Sequence, residues 1–168
     1  MSRSGNALDL SVDHKARRAD EQYRIKSQGG YIVYGRVLGR LAISRAFGDF
    51  DCKNIEMTIT QDNNQVPGSS SQEGEKVIRN FILSEPEIRV VDIDTTQDDF
   101  IILASDGLFD RFSSQECVQV TREKLQAMPI LEQDAQKVAH ELVDLAKKKR
   151  MMTDNITVIL IALNSGIQ

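Results

Sequence analysis

Two nearly unbroken apolar runs constrain this chain more than any other feature. Phe100-Ile-Ile-Leu-Ala104 and Ile156-Thr-Val-Ile-Leu-Ile-Ala-Leu163 are short and largely β-branched or aliphatic. Runs of this kind suit strands covered on both faces or close to it. An acid borders each: Asp106 follows the first run and Asp154 precedes the second. If the two strands are antiparallel neighbours, the end of the first lies beside the start of the last. Asp106 and Asp154 then share one rim.

Around these runs the pattern predicts further elements. Tyr31–Tyr34, Leu41–Ser44 and Ile88–Ile93 read as strands. Ser113-Ser-Gln-Glu116 is a capping box, in which serine and glutamate side chains satisfy free N–H groups at a helix start. Cys117, Val120, Thr121, Leu125 and Met128 then recur at helical spacing. Leu131, Ala135, Val138, Ala139, Leu142, Val143 and Ala146 form the apolar stripe of a second helix. A shorter helix over Arg18–Ser27 stops at Gly29-Gly30. The polar, breaker-rich stretch from Thr58 to Gly74 reads as a flexible insertion. Helices segregated from strands in this order point to an α+β fold rather than a doubly wound parallel sheet.

Composition removes whole classes of function. A chain of 168 residues fits one ordinary domain, and its net charge of −4 argues against wrapping nucleic acid or coating an anionic membrane. Two cysteines make no disulfide framework, so a reducing compartment, cytoplasm and/or nucleus, is expected. The first residues, Met1–Asp13, lack the apolar stretch of a signal peptide, and no apolar run approaches the roughly 20 residues of a membrane helix.

Few residues are left to carry chemistry. With only two histidines, His14 and His140, and two cysteines, a zinc site with Cys/His spacing is not expected. Carboxylates remain. Asp106, Asp110 (four residues on, in Asp106-Gly-Leu-Phe-Asp110) and Asp154 offer the oxygen ligands that hard cations such as Mg²⁺ and Mn²⁺ take. The same residues also read as turns, since Asp-Gly and Asp-Asn start and end strands. Leu41-Ala-Ile-Ser-Arg-Ala-Phe-Gly-Asp49 likewise reads as a strand and turn with Arg45 pairing a carboxylate. His14 reads as a turn residue, and His140 as a surface or packing residue. Lys147–Arg150 reads as a solvated helix end whose cations complement the macrodipole.

Together these stretches resemble the metal-dependent protein serine/threonine phosphatases of the PP2C (PPM) family. Asp13-His-Lys15, Glu21, Arg24-Ile25 and Gly29-Gly30 are similar to one family segment, and Leu41–Phe50 to its L-A-V-S-R-A-x-G-D motif. Glu85-Pro-Glu87, Ile101–Asp110 and Asp154-Asn-Ile-Thr-Val158 resemble three more, in order. The resemblance implies part of an αββα β-sandwich with antiparallel sheets flanked by helices. It implies that Asp106 and Asp154 ligate the first of two catalytic metals (Mg²⁺ or Mn²⁺) and that Asp110 belongs to a third, weaker site. Residues 15–40 would correspond to a flap beside the active site, and Ser44, Arg45 and Asp49 to a supporting segment. The implied reaction is hydrolysis of phosphoserine or phosphothreonine in a phosphoprotein substrate by a metal-activated water, in a protein monomeric when complete.

One family motif has no counterpart. The family's D-G-H-G-G, whose Asp bridges both metals, is absent because the chain contains no Asp-Gly-His. The chain is therefore expected to be the C-terminal part of such a phosphatase, with sheet edges and apolar faces bare without the rest. The alternative is a catalytically inactive PP2C-like binding or regulatory module.

Overall fold

The structure, a computed structural model, describes residues 1–59, 75–129, 133–149 and 154–163. In chain order the elements are β1 (Ser2–Arg3), β2 (Asn6–Ala7), α1 (Ala19–Ser27), β3 (Ile32–Val33) and β4 (Arg36–Val37). Then come a 3₁₀ turn (Phe50–Cys52), β5 (Ile55–Ile59), β6 (Glu75–Arg79), β7 (Asp98–Ala104) and α2 (Asp106–Phe109). The chain continues with α3 (Ser114–Gln126), α4 (Ala135–Lys149) and β8 (Val158–Ala162). Every ladder between these strands is antiparallel, and the architecture is α+β, as expected. Two compact units divide the chain: Met1–Ser11 with Arg89–Gln168, and Val12–Ile88.

The first unit is built on the two apolar runs, which pair directly in a sheet of order β2-β1-β7-β8. Phe100 faces Ala162, Ile102 faces Leu160 and Ala104 faces Val158 across the β7–β8 ladder. These positions share one face because side chains alternate along a strand. That face packs on the helices, where Phe100 is buried with Val118, Leu125 and Val138, and Ile102 and Leu160 lie against them. Leu108, Phe112, Cys117, Leu142 and Ala146 continue the core. The capping box forms at the start of α3: the Ser113 hydroxyl accepts from the Glu116 N–H, and the Glu116 carboxylate accepts from the Ser113 N–H.

The opposite face of β7 and β8 is equally apolar and is bare. Leu103 pairs with Ile159, and Ile101 with Ile161. Leu103, Ile159 and Ile161 are 49%, 55% and 43% exposed. Among the described residues, the unbroken apolar character of the runs is therefore satisfied on one side only.

The small β1–β2 hairpin was not legible in the sequence. Its two-residue strands leave no periodicity, and contacts from far along the chain hold it instead. Arg3 donates to both carboxylate oxygens of Asp98 at 2.7 and 2.9 Å, and the Ser4 N–H donates to the Gln97 carbonyl at 2.7 Å.

In the second unit α1 spans Ala19–Ser27, and Gly29, at φ +85, ends it in the left-handed region. Ala16, Ile25, Val37, Phe81 and Ile82 form its core. Two expected strands are corrected. Leu41–Ser44 forms no ladder: Leu41, Ile43 and Arg45 each make a single bridge, to Val37, Lys15 and Leu83 in turn. Three different partners in five residues leave no continuous register. Ile88–Ile93 is not a strand either; Ile88, Val90 and Ile93 are exposed, and the segment joins no ladder among the described residues. Conversely, Ile55-Glu-Met-Thr-Ile59 alternates and pairs with β6 from Ile55↔Arg79 to Ile59↔Glu75. Thr58 and Ile59, expected in the insertion, thus finish a strand, and the rest of that stretch, 60–74, lies outside the described residues.

Candidate metal centre

The β7–β8 ladder decides where the candidate acids stand. Its last pair, Ala104↔Val158, is followed by a Ser105 N–H bond to the Thr157 carbonyl at 3.0 Å. The Ser105 hydroxyl donates to the Asn155 carbonyl at 3.3 Å and accepts from the Thr157 N–H at 3.2 Å. Occupied in this way, it does not cap α2, although Ser105 is the residue preceding that helix. One hydroxyl thus ties the segment entering Asp106 to the segment leaving Asp154.

Gly107 makes the approach closer still. A Cβ there would sit 2.4 Å from the Asn155 carbonyl oxygen and 3.1 Å from Ile156 Cγ1. Only a residue without a side chain lets the first turn of α2 lie on the backbone that follows Asp154. Asp110 stands one turn after Asp106, and its N–H donates to the Asp106 carbonyl at 2.7 Å. Residues four apart lie over one another on a helix.

All three aspartates are exposed, and none is in an ion pair among the described residues. Asp154 Oδ1 accepts from the next residue's N–H, at 2.8 Å. Oxygen donors free of competing cations are what a hard divalent ion takes, with water completing its shell. By donor chemistry the rim fits Mg²⁺ or Mn²⁺. By number it is short: among the described residues, no three His, Cys, Asp or Glu side chains stand together closely enough to hold one ion. Backbone segments are brought together here, but a complete cage is not.

Within the second unit, the Leu41–Phe50 stretch is organised by a carboxylate that the pattern alone did not single out. Glu21, 2% exposed at its side chain, accepts from Arg45 Nε and Nη2 on one oxygen at 3.0 and 2.7 Å. Arg24 donates to its other oxygen at 3.2 and 2.7 Å. Arg24 also reaches the Phe81 carbonyl, and Arg45 the Glu85 carbonyl, at 3.0 and 3.2 Å. Burial pushes the Glu21 carboxyl up, but the bonds from Arg24, Arg45 and Ser44 outweigh it and hold it at about 2. Arg45 therefore pairs a carboxylate, as the sequence suggested. Ser44 is buried with its hydroxyl donating to the His14 carbonyl at 3.0 Å, and Asp49 adopts φ 51 at the start of the 3₁₀ turn. His14 meets Glu87 at 3.1 Å, and His140 lies exposed on α4 against the Gln136 carbonyl at 2.9 Å.

A family model described as Protein phosphatase 2C matches residues 1–156. The chain belongs to the protein phosphatase 2C family. "Probable protein phosphatase 2C 27" of Oryza sativa subsp. japonica is 30% identical over 98% of this chain and 40% of its own length. "Protein phosphatase 1L" of Bos taurus is 33% identical over 98% of this chain and 38% of its own. Among solved structures, a phosphatase from Toxoplasma gondii is 28% identical with a TM-score of 0.62, covering 98% of this chain and 46% of that one. The chain thus spans about two fifths of the length of the curated relatives it matches. The family is one of metal-dependent protein phosphatases.

Proposed function

We propose that this chain supplies the Asp106/Asp154 rim of a protein phosphatase 2C active site that hydrolyses phosphoserine and phosphothreonine in proteins. The observation that carries the reading is the pairing of β7 with β8, which brings two acid-bearing segments to one edge of the sheet. Bound Mg²⁺ or Mn²⁺ would offset charge on the phosphate oxygens and ease deprotonation of the attacking water. Asp106 and Asp154 would hold such an ion through carboxylate oxygens, with Asp110 serving a further, weaker one. Ser105 and Gly107 fix the backbone from which these side chains project. The 15–40 segment would act as a flap beside the site, held in shape through Glu21.

The test is direct. In the complete domain, Asp106→Asn and Asp154→Asn should each abolish metal-dependent hydrolysis of a phosphopeptide and of an aryl phosphate, as should a chelator. Retention of full activity in either variant sinks the reading.

A second reading is a catalytically inactive module, favoured by the missing Asp-Gly-His and the short donor set. Titrating Mn²⁺ into the purified 168-residue chain with an aryl phosphate separates the two: turnover excludes the inactive module.

A further inference from the structure

We infer that Arg17, Arg36, Arg40 and Tyr34 form a docking surface for an acidic, extended segment of a partner protein. The surface lies wholly within the Val12–Ile88 unit and does not rest on the reading of the aspartate rim.

Charge is unevenly placed along the chain. Residues 15–40 hold seven basic and two acidic residues, although the whole chain carries −4. Part of that excess is used internally: Lys15 meets Asp13, Arg18 meets Asp20 and Glu87, and Arg24 meets Glu21. Lys26 lies in the last turn of α1, where a cation complements the helix dipole. Arg17, Arg36 and Arg40 remain. All three are exposed, and none is in an ion pair among the described residues.

Contacts join these three cations. In the β3–β4 hairpin Ile32 faces Val37 and Val33 faces Arg36. Val37 is buried, so the alternation of side chains along β4 sends Arg36 to the outer face. The Arg17 guanidinium lies against the hairpin tip: a Cβ on Gly35 would sit 3.0 Å from Arg17 Cζ. Arg36 Nη1 donates to the Arg40 carbonyl at 2.9 Å, and Arg40 Nη1 to the Asp51 carbonyl at 2.8 Å. A carbonyl orients a guanidinium without cancelling its charge, and each fork keeps further N–H donors for a carboxylate.

Tyr34, at the tip against which Arg17 lies, is a second and independent observation. It is 92% exposed at φ +52, a left-handed conformation that bulky side chains rarely adopt, and Gly35 follows at φ +74. Asn-Gly is the pair that such a turn favours. A tyrosine there is unburied and strained, so folding gains nothing from it; outliers of this kind gather where something binds. Its ring and hydroxyl offer a peptide an apolar face and a donor beside the cations. Three guanidiniums on one hairpin suit a few carboxylates of an extended segment. A lipid surface or a nucleic acid covers a larger footprint and would meet the net negative charge of the remaining chain.

The probe is a fluorescein-labelled peptide of alternating Glu and Ser, titrated into the full 168-residue chain and followed by anisotropy. It should bind in low salt, weaken as salt rises, and bind more tightly than a Gln-Ser counterpart. Exposed charge pairs contribute little singly, so Arg17→Gln, Arg36→Gln and Arg40→Gln should each weaken binding about two- to fivefold, and the triple variant about tenfold or more. Their urea midpoints should match the wild type, since none of the three arginines pairs a carboxylate. Tyr34→Asn should weaken binding about two- to fivefold yet raise the urea midpoint, whereas a tyrosine kept for folding would lower it. A wild-type chain that ignores the acidic peptide in low salt, a triple variant that binds as well as wild type, or equal binding of the Gln-Ser peptide overturns the inference. So does tighter binding of phosphatidylserine vesicles or single-stranded DNA than of the peptide, which would assign the patch to another class of partner. Unchanged affinity in Tyr34→Asn overturns the place of the tyrosine in the surface.

Discussion

Glu21→Gln should cost the Val12–Ile88 unit about 3 kcal/mol at neutral pH and very little in acid. Folding lowers the Glu21 carboxyl from 4.5 to about 2. That depression is worth about 3 kcal/mol, at roughly 1.4 kcal/mol for each tenfold change in proton affinity. A carboxyl whose folded value is depressed contributes fully above its unfolded value, and the contribution is lost as pH falls towards the folded one. At pH 3 the same linkage leaves only about 1 kcal/mol, and around pH 1 almost nothing. The Glu21→Gln variant leaves Arg24 and Arg45 without their anion, a change that costs roughly 3–5 kcal/mol when a buried pair is broken, in agreement with the linkage figure. The assay has a built-in reporter. The chain has no tryptophan, and its three tyrosines, Tyr23, Tyr31 and Tyr34, all lie in Val12–Ile88. Tyrosine fluorescence in urea therefore follows this unit. Other carboxyls, such as Glu87 and Asp20, are also held below their ordinary values by Arg18, so the quantity to read is the wild-type-minus-variant difference at each pH. Equal stabilities at pH 7, or a gap that persists undiminished at pH 3, would refute the reasoning.

Three further outcomes are expected. Gly107→Ala should destabilise the first unit by about 1–2 kcal/mol in denaturant, because overpacking against the Asn155 carbonyl exceeds the roughly 1 kcal/mol of helix propensity gained; a more stable variant contradicts the close approach. Ser113→Ala should cost about 1 kcal/mol by removing the hydroxyl that caps α3, read as a shift in the urea midpoint followed by circular dichroism; no shift contradicts the cap. Leu103→Lys with Ile159→Glu should suppress self-association of the isolated chain in light scattering, with a loss of stability under about 1 kcal/mol, since both side chains are already half exposed. An unchanged scattering signal would show that the bare face does not drive association.

What could be read from the sequence divides along the range of the forces involved. β7, β8 and α3 were legible because their signals are local: apolar continuity for the strands, and a serine and glutamate three residues apart for the cap. The meeting of Asp106 with the Asp154 segment followed from those strands plus one assumption, that they are antiparallel neighbours. Leu41–Ser44 and Ile88–Ile93 failed because β-character in a segment does not supply a partner, and a strand needs one. Glu21 appeared only as part of a resemblance. Its partner Arg45 lies 24 residues away, and nothing in spacing or periodicity announces a contact at that separation. Gly107 stood in plain view as half of an Asp-Gly turn signal, yet its reason is the passage of the Asn155 backbone, which only three-dimensional packing reveals.

The register that gathers the acids also creates the main deficit of this chain. Pairing Ala104 with Val158 sets Asp106 beside the Asp154 segment, and the two-residue period of a strand then dictates every other side chain on both strands. Phe100, Ile102 and Leu160 go to the helices, while Leu103, Ile159 and Ile161 go to the other side, where they remain 43% to 55% exposed. No slip can cure this: moving β8 by one residue would bury Ile159 and Ile161 but expose Leu160, and would carry Asp154 away from Asp106. The sheet must therefore be covered by something else. In the αββα sandwich implied by the family resemblance, a second sheet would do so, and it would come in part from sequence outside this chain. By the same resemblance, the bridging aspartate of the family would lie on such outside sequence, which would account for the short donor set among the described residues. Covering the apolar face and completing the donor set are then expected to be one event, so addition of the remaining family segment should raise stability and metal affinity together.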